Sequence, residues 1–156
     1  MKGNLIGSLP SGLRFYITET CVAAENASVI ICPFGWKVVA ANVAGSLLQC
    51  FAGNVEMLEV PVFDCFKNPV SRKFFAINAL NKLDALSEKK TVFSPIAIGS
   101  ARPVLKPWIN SSNVPADVHI FRTVGDVSRL YVDNVGKNAL SGCAGKGMIF
   151  LPAGAD

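Results

Sequence analysis

The first candidates for catalytic residues in this chain are its one histidine and its five cysteines. A thiol beside His119 could form the nucleophile–base pair of a cysteine-dependent enzyme. The cysteines are widely separated and never form a C-x-x-C pair, which favours free buried thiols and argues against a structural zinc site. They are Cys21, Cys32, Cys50, Cys65 and Cys143. His119 itself lies in a strand-like stretch, where an outward position or one core hydrogen bond is the more ordinary role.

Two further patterns could carry chemistry, and each has an ordinary structural explanation. Asp84 and Glu88 are spaced like neighbours on a helix, but Lys89 and Lys90 follow, which indicates a solvated helix end. The stretch GCAGKG, residues 142–147, resembles a phosphate-cradling loop, but a glycine stands where the Ser or Thr that holds magnesium belongs. We therefore expect no enzymatic activity, no cofactor and no metal.

A strand–helix–strand unit is predicted for residues 37–61. A strand reaches Ala41, Asn42 stands at the N-cap position of a helix, and Gly53 falls where a left-handed residue would end that helix. Residues 55–63 then return as a strand.

The same unit is predicted again over residues 129–152. Asn134 and Gly145 stand there where Asn42 and Gly53 stand in the first unit. Two unrelated units that converged on the same capping residues would look alike, so a true repeat and convergence both stay open. Glycines inside the second helix each cost up to about 1 kcal/mol relative to alanine, so tertiary packing must hold it.

The rest of the chain is predicted as strands and irregular segments. Strands are predicted over residues 13–19, 27–32 and 118–124, a helical turn or two around Leu80, Leu83 and Leu86, and an irregular crossing over residues 99–117. The pattern indicates an α+β fold in one domain, residues 1–156, with a mixed, mostly antiparallel sheet and few short helices.

Composition narrows the function classes. The chain is 51% hydrophobic and 17% charged, with a mean hydropathy of +0.39. Its most apolar stretch, Val38–Gly53, is interrupted by polar residues and is shorter than the roughly 18–20 apolar residues of a spanning helix. Residues 1–15 hold no apolar segment of signal-peptide length. We expect a cytoplasmic protein without stable membrane association.

The charge of +4 is mild, and the basic residues are scattered. No RNA-recognition motif, zinc finger or basic helix accompanies them, so nucleic acid is not a predicted partner.

Three stretches, taken in order, carry a family resemblance: FFAINALNKLDALSEKKTVF, VHIFRTVG and LYVDNVGKNALSGCAGKGMIFLP. Together they resemble a bacterial family of immunity proteins for polymorphic toxins, immunity family eleven, formerly a domain of unknown function. The likeness covers residues 71–152, and more loosely 37–61. The matching residues are Phe75, Asn78, Leu83, Asp84, Lys90, Thr91, Ile120, Phe121, Arg122, Val132, Gly145, Phe150 and Pro152.

The resemblance implies a cytosolic inhibitor that binds a cognate toxin encoded nearby, in a tight stoichiometric complex. Such toxins are effectors of interbacterial competition, delivered for example by type VI secretion, and nucleases are among them. Because the chain is basic, an acidic toxin surface fits better than a strongly cationic one. Aromatic and basic residues of an early turn and of the irregular crossing are the predicted partner contacts: Phe34, Trp36, Arg102, Lys106 and Trp108.

Two other functions stay open at this point. One is a small cytosolic enzyme that uses a cysteine with His119. The other is a membrane-associated protein that counters a pore-forming toxin, which the high mean hydropathy prompts.

Overall fold

The computed structural model describes residues 6–18, 26–31, 36–97, 102–141 and 150–156. Within these ranges the chain forms short strands, two helices packed side by side and one turn of 3-10 helix at Ser111–Asn113. The helices are α1 (Ala41–Phe51) and α2 (Asn134–Ser141). The strands are β1 (Phe15–Tyr16), β2 (Val29–Ile31), β3 (Lys37–Ala40), β4 (Val55–Val60), β5 (Val62–Phe63), β6 (Phe74–Ala79), β7 (Lys82–Leu83), β8 (Val92–Phe93), β9 (Val104–Lys106), β10 (Trp108–Ile109), β11 (Ile120–Thr123), β12 (Asp126–Val132) and β13 (Gly154–Ala155). The predicted α+β class is confirmed.

The largest sheet has the strand order β2-β3-β6-β4, and every neighbouring pair in it is antiparallel. Strand β6 is paired on both sides, so Ala76 lies opposite Val38 on β3 and Leu58 on β4. Strands β3 and β4 are therefore parallel to each other, with β6 between them. Parallel strands need a crossover, and α1 supplies it, which confirms the first predicted strand–helix–strand unit.

Helix α1 covers one face of this sheet. Val43, Leu47 and Phe51 recur every four residues, which places them on one side of the helix, and all three are buried. They pack with Val39 of β3 and Ile120 of β11 in a cluster that we call the helix-side core. Sheet and helix thus bury their apolar faces against each other.

The N-terminal end of α1 differs from the prediction. The helix begins at Ala41, its N-cap is Ala40, and no side chain caps it. Asn42 lies inside the helix, and its Oδ1 accepts a hydrogen bond from Arg72 Nη2 at 2.8 Å. The N-cap role predicted for Asn42 was therefore wrong, because a distant arginine uses that oxygen instead.

The opposite face of the sheet is covered by the N-terminal segment. Val38, Ala40 and Phe74 pack there with Leu9 and Phe15, and β1 pairs in parallel with β5. The sheet is therefore buried on both faces, which suits the apolar runs of its strands.

The second sheet has the order β12-β11-β7, with β11 and β12 forming an antiparallel hairpin. Phe121 and Tyr131 face each other across that hairpin, with ring centroids 5.6 Å apart. With Leu83, Ile109 and Val118 they form a third core, on the side of the hairpin away from the helices.

The helical turn predicted around Leu80, Leu83 and Leu86 was wrong. The chain passes from β6 to β7 through residues 80 and 81 without a helical turn, and Asp84 and Glu88 share no helix. Asn81 fixes this extended path, because its Nδ2 donates to Asn54 Oδ1 at 2.9 Å.

The second predicted unit is only partly present. Strand β12 leads into α2 as expected, but the cap is Asp133 rather than Asn134: Gly136 N–H donates to Asp133 Oδ1 at 2.8 Å. Residues 142–149, with Gly145, lie outside the described part. Residues 150–152 do not form the predicted strand, and β13 follows them, paired in parallel with β10.

The other predicted strands are present in shorter form. Strands β1, β2 and β11 lie within the predicted ranges 13–19, 27–32 and 118–124. The described part of the predicted irregular crossing, residues 102–117, contains β9, β10 and the 3-10 turn.

Two glycines test the geometry of the first unit. Gly53 ends the α1 turn with φ +81°, as predicted for a left-handed residue, whereas Gly45 is a helical position with open space around it. We expect Gly53→Ala to lower the free energy of unfolding by about 1–2 kcal/mol because alanine is strained there. We expect the control Gly45→Ala to raise it by about 0.5–1 kcal/mol. Urea denaturation measures both, and equal effects of the two substitutions would contradict this geometry.

Candidate partner-binding groove

An open groove of about 1190 Å³ lies beside the second sheet. Its walls are formed by residues of β9 and β10, of β12 and the start of α2, and of the C-terminal residues 150–153 and 155. Leu105 and Leu151 line it although 58% and 83% of their surface is exposed. Large apolar side chains left open beside a concave surface are typical of a binding site.

The charge of the groove is strongly one-sided. Among the described residues that line it, one is acidic, Asp133, and four are basic: Lys37, Lys106, Arg129 and Lys137. Lys106 and Lys137 form no ion pair within the described ranges. Their charge is therefore available to attract an acidic group.

A hydrogen-bond network around Asp126 connects two walls of the groove. Asp126 is 6% exposed, and its carboxylate accepts hydrogen bonds from Tyr131 Oη at 2.9 Å and Ser128 Oγ at 2.8 Å. Arg129 donates to the same carboxylate through Nη1 at 2.5 Å and to the backbone oxygen of Val104 through Nη2 at 2.7 Å. Strand β12 is thereby tied to β9, so two walls of the groove are fixed relative to each other.

The network changes the acidity of its members. Burial by itself would raise the pKa of Asp126, but hydrogen bonds from Arg129, Ser128 and Tyr131 outweigh it and hold that pKa below its ordinary value. Burial and the neighbouring carboxylate together raise the pKa of the Tyr131 hydroxyl. At neutral pH Asp126 is therefore charged, and Tyr131 remains a donor to it.

The C-terminal wall is held by Trp108. Its ring lies directly against Gly154, where an added Cβ would come within 2.2 Å of the ring, and its Nε1 donates to Asp156 Oδ1 at 2.9 Å. Lys90 pairs with the same carboxylate, and its Nζ lies 5.0 Å from the centre of the indole ring. Trp108 thus has a structural role within the chain, and its predicted contact with a partner stays a prediction.

The four predicted contact residues that the structure describes are not gathered in the groove. Lys106 lines the groove. Trp36 packs edge-on against Phe15, with ring centroids 6.1 Å apart, on the far face of the large sheet. Arg102 lies over the ring of Phe93, with its Cζ 5.8 Å from the ring centre.

The fifth predicted contact, Phe34, lies outside the described residues. Sequence reasoning missed Lys37, Arg129 and Lys137, because isolated basic residues far apart in the chain give no pattern that could connect them.

The candidate catalytic residues are also accounted for. His119 Nδ1 lies 2.8 Å from Asp133 Oδ2, and the other oxygen of that carboxylate caps α2. Cys50 and Cys65 are free but exposed, so their predicted burial was wrong; the other cysteines lie outside the described part. Nowhere in the described ranges do three or more potential ligands gather as a metal site would require.

Comparison with known proteins yields no match to this chain, either from a family model or from a curated protein. The resemblance to the immunity family therefore rests on the three sequence stretches alone. In the part of the chain that the structure describes, neither helix has the length and apolar character needed to cross a bilayer.

The hydrogen bonds to Asp126 should make the stability of the fold depend on pH. Because the folded pKa of Asp126 lies below its ordinary value of 3.8, its contribution is present above that value and is lost as the pH falls through the folded pKa. We expect Asp126→Asn to lower the free energy of unfolding by about 2 kcal/mol at pH 7 and by much less near pH 2. Urea denaturation across this range measures the difference.

The control for that experiment is Asp117→Asn, which removes an exposed carboxylate at another place. Its effect should be small at every pH. A loss for Asp126→Asn that is as large at pH 2 as at pH 7 would mean that ionisation of Asp126 does not stabilise the fold.

Proposed function

We propose that this chain is a toxin-binding immunity protein of the kind represented by immunity family eleven. It acts in the cytoplasm by forming a tight stoichiometric complex with a toxin encoded beside it, and it makes or breaks no bond itself. The observation that carries this proposal is the groove, which combines exposed Leu105 and Leu151 with Lys106 and Lys137. The three sequence stretches that resemble the immunity family suggest that the partner is a toxin.

The chemistry of the groove favours a protein partner. An open surface with apolar and charged side chains resembles the mixed character of protein interfaces, in which apolar anchors are surrounded by polar contacts. A stable inhibitor complex typically covers about 800 Å² on each partner, so the contact would extend beyond the groove.

The positive charge of the groove indicates which kind of toxin surface would bind it. Lysines at its rim would attract an acidic surface and speed its association, whereas a cationic surface would be repelled. The proposed partner therefore presents acidic side chains around an apolar centre. A nuclease fits if the part that meets the groove is acidic.

The membrane alternative has less support. The apolar stretch Val38–Gly53 forms β3 and α1, whose side chains Val39, Val43 and Leu47 are buried in the helix-side core. The most apolar stretch of the chain thus contributes its side chains to the protein core.

Charge reversal in the groove tests the proposal. We expect Lys106→Glu and Lys137→Glu each to weaken the complex with the neighbouring-gene toxin by about tenfold or more and to reduce growth rescue during co-expression, because each replaces attraction by repulsion. Calorimetry of the purified pair measures the affinity. The matched control is Lys89→Glu, which makes the same charge change at an exposed residue outside the groove. No complex and no rescue by the unmodified chain would sink the proposal.

The enzyme alternative is tested at His119. We expect His119→Ala to leave toxin binding and growth rescue intact, because the proposed inhibitor uses no general base. Pull-down and growth assays measure this, with circular dichroism as the check that α2 is retained when Asp133 loses its partner. A folded His119→Ala protein that binds the toxin but no longer protects the cell would favour catalysis.

A further inference from the structure

The groove runs along the outer edge of a β-sheet. In the described part of the chain, β12 is the end strand of the order β12-β11-β7, and all residues from Arg129 to Asp133 line the groove. A sheet edge presents backbone donors and acceptors that can pair with another strand. The groove therefore offers backbone hydrogen bonds as well as side chains.

The register of the hairpin identifies which backbone groups face outward. Asp133 N–H donates to His119 O at 3.3 Å, and Tyr131 lies opposite Phe121. Since the residues of an antiparallel strand point their backbone groups alternately to the two sides, Tyr131 and Asp133 bond towards β11. The N–H and C=O of Leu130 and Val132 point away from β11, and within the described ranges no hydrogen bond occupies them.

The rest of this edge is less suited to pairing. The register of the hairpin shifts between Phe121 and Thr123, so the regular part of β12 is confined to its C-terminal half. Lys37 Nζ donates to Ser128 O at 2.7 Å and so occupies the edge just before that half. A lysine at a sheet edge limits uncontrolled pairing. Among the residues that the structure describes, none pairs with the short segment Leu130–Val132 on this side.

We infer that an extended acidic segment of the partner protein adds to the sheet as a strand along Leu130–Val132. Its backbone would pair with the outward groups of these two residues, and its alternate side chains would place carboxylates near Lys106 and Lys137. This inference rests on the proposed function and specifies how the partner is recognised. A second copy of this chain fits the groove less well, because it would bring its own lysines against these.

Hydrogen exchange followed by NMR tests this mode directly. In the free chain the amides of Leu130 and Val132 should exchange faster than those of Tyr131 and Asp133, which are bonded to β11. In the complex with the neighbouring-gene toxin, the first two should slow by about tenfold or more. A complex that forms and protects the cell but leaves these two amides unprotected overturns the inference while the proposed function stands.

Paired variants at one position separate backbone from side chain. Leu130→Ala and Leu130→Pro both remove the leucine side chain, but only proline removes the outward N–H, which the hairpin does not use. We expect Leu130→Pro to bind the toxin about tenfold more weakly than Leu130→Ala, with both folded by circular dichroism. Equal affinities overturn the inference. If the proline variant does not fold, the exchange measurement on the unmodified chain decides.

A synthetic probe covers the case in which the neighbouring-gene protein does not bind and the proposed function fails. The probe is a decapeptide of alternating valine and glutamate, and its control has lysine in place of glutamate. Protection of Leu130 and Val132 by the acidic peptide but not the basic one supports the inference; no protection by either overturns it. Concentration-dependent dimerisation of the free chain that protects the same amides also overturns it, since a second copy would then be the occupant.

Discussion

The double pairing of β6 is the constraint on which the rest of the structure depends. Phe74 lies opposite Ala40 of β3 and Val60 of β4 at once, and its side chain is fully buried. Because β6 separates two parallel strands, the chain between them must cross over the sheet, and α1 does so with its apolar side inward. The far face is then left for the N-terminal segment. Both faces of the sheet are covered as a consequence.

The same strand also positions the groove. Strand β6 continues into β7, to which β11 pairs in parallel, and β11 carries β12 as the outer strand. The Asp126–Arg129 pair then joins β12 to the backbone of Val104. Several strands and a helix therefore contribute to the groove. The buried carboxylate of Asp126 holds two of these strands, β12 and β9, together through Arg129. Such a fixed arrangement would lower the ordering cost of the proposed binding, since its charged side chains stand on strands and a helix rather than on a free loop.

Local sequence patterns predicted the structure correctly where it depends on interactions between residues close together in the chain. The first strand–helix–strand unit follows from helical periodicity and from Gly53, whose left-handed backbone favours glycine. Local signals misled where a distant residue intervened. Asn42 has the chemistry of an N-cap, but Arg72 binds its side chain. The leucine spacing around Leu83 suits a helix equally well, but Asn81 bonds to Asn54 and keeps the chain extended.

The sequence by itself determined the fold class, the first unit, the mild positive charge and a set of motifs that name a family to test. The groove was decided only by tertiary structure. Lys37, Lys106 and Lys137 are far apart in the chain and line one groove only because the fold places β3, β9 and α2 around it. The physical reason is that periodicity reports which side of an element is apolar, whereas the meeting of polar residues depends on strand order and register, which pairing across the whole sheet sets.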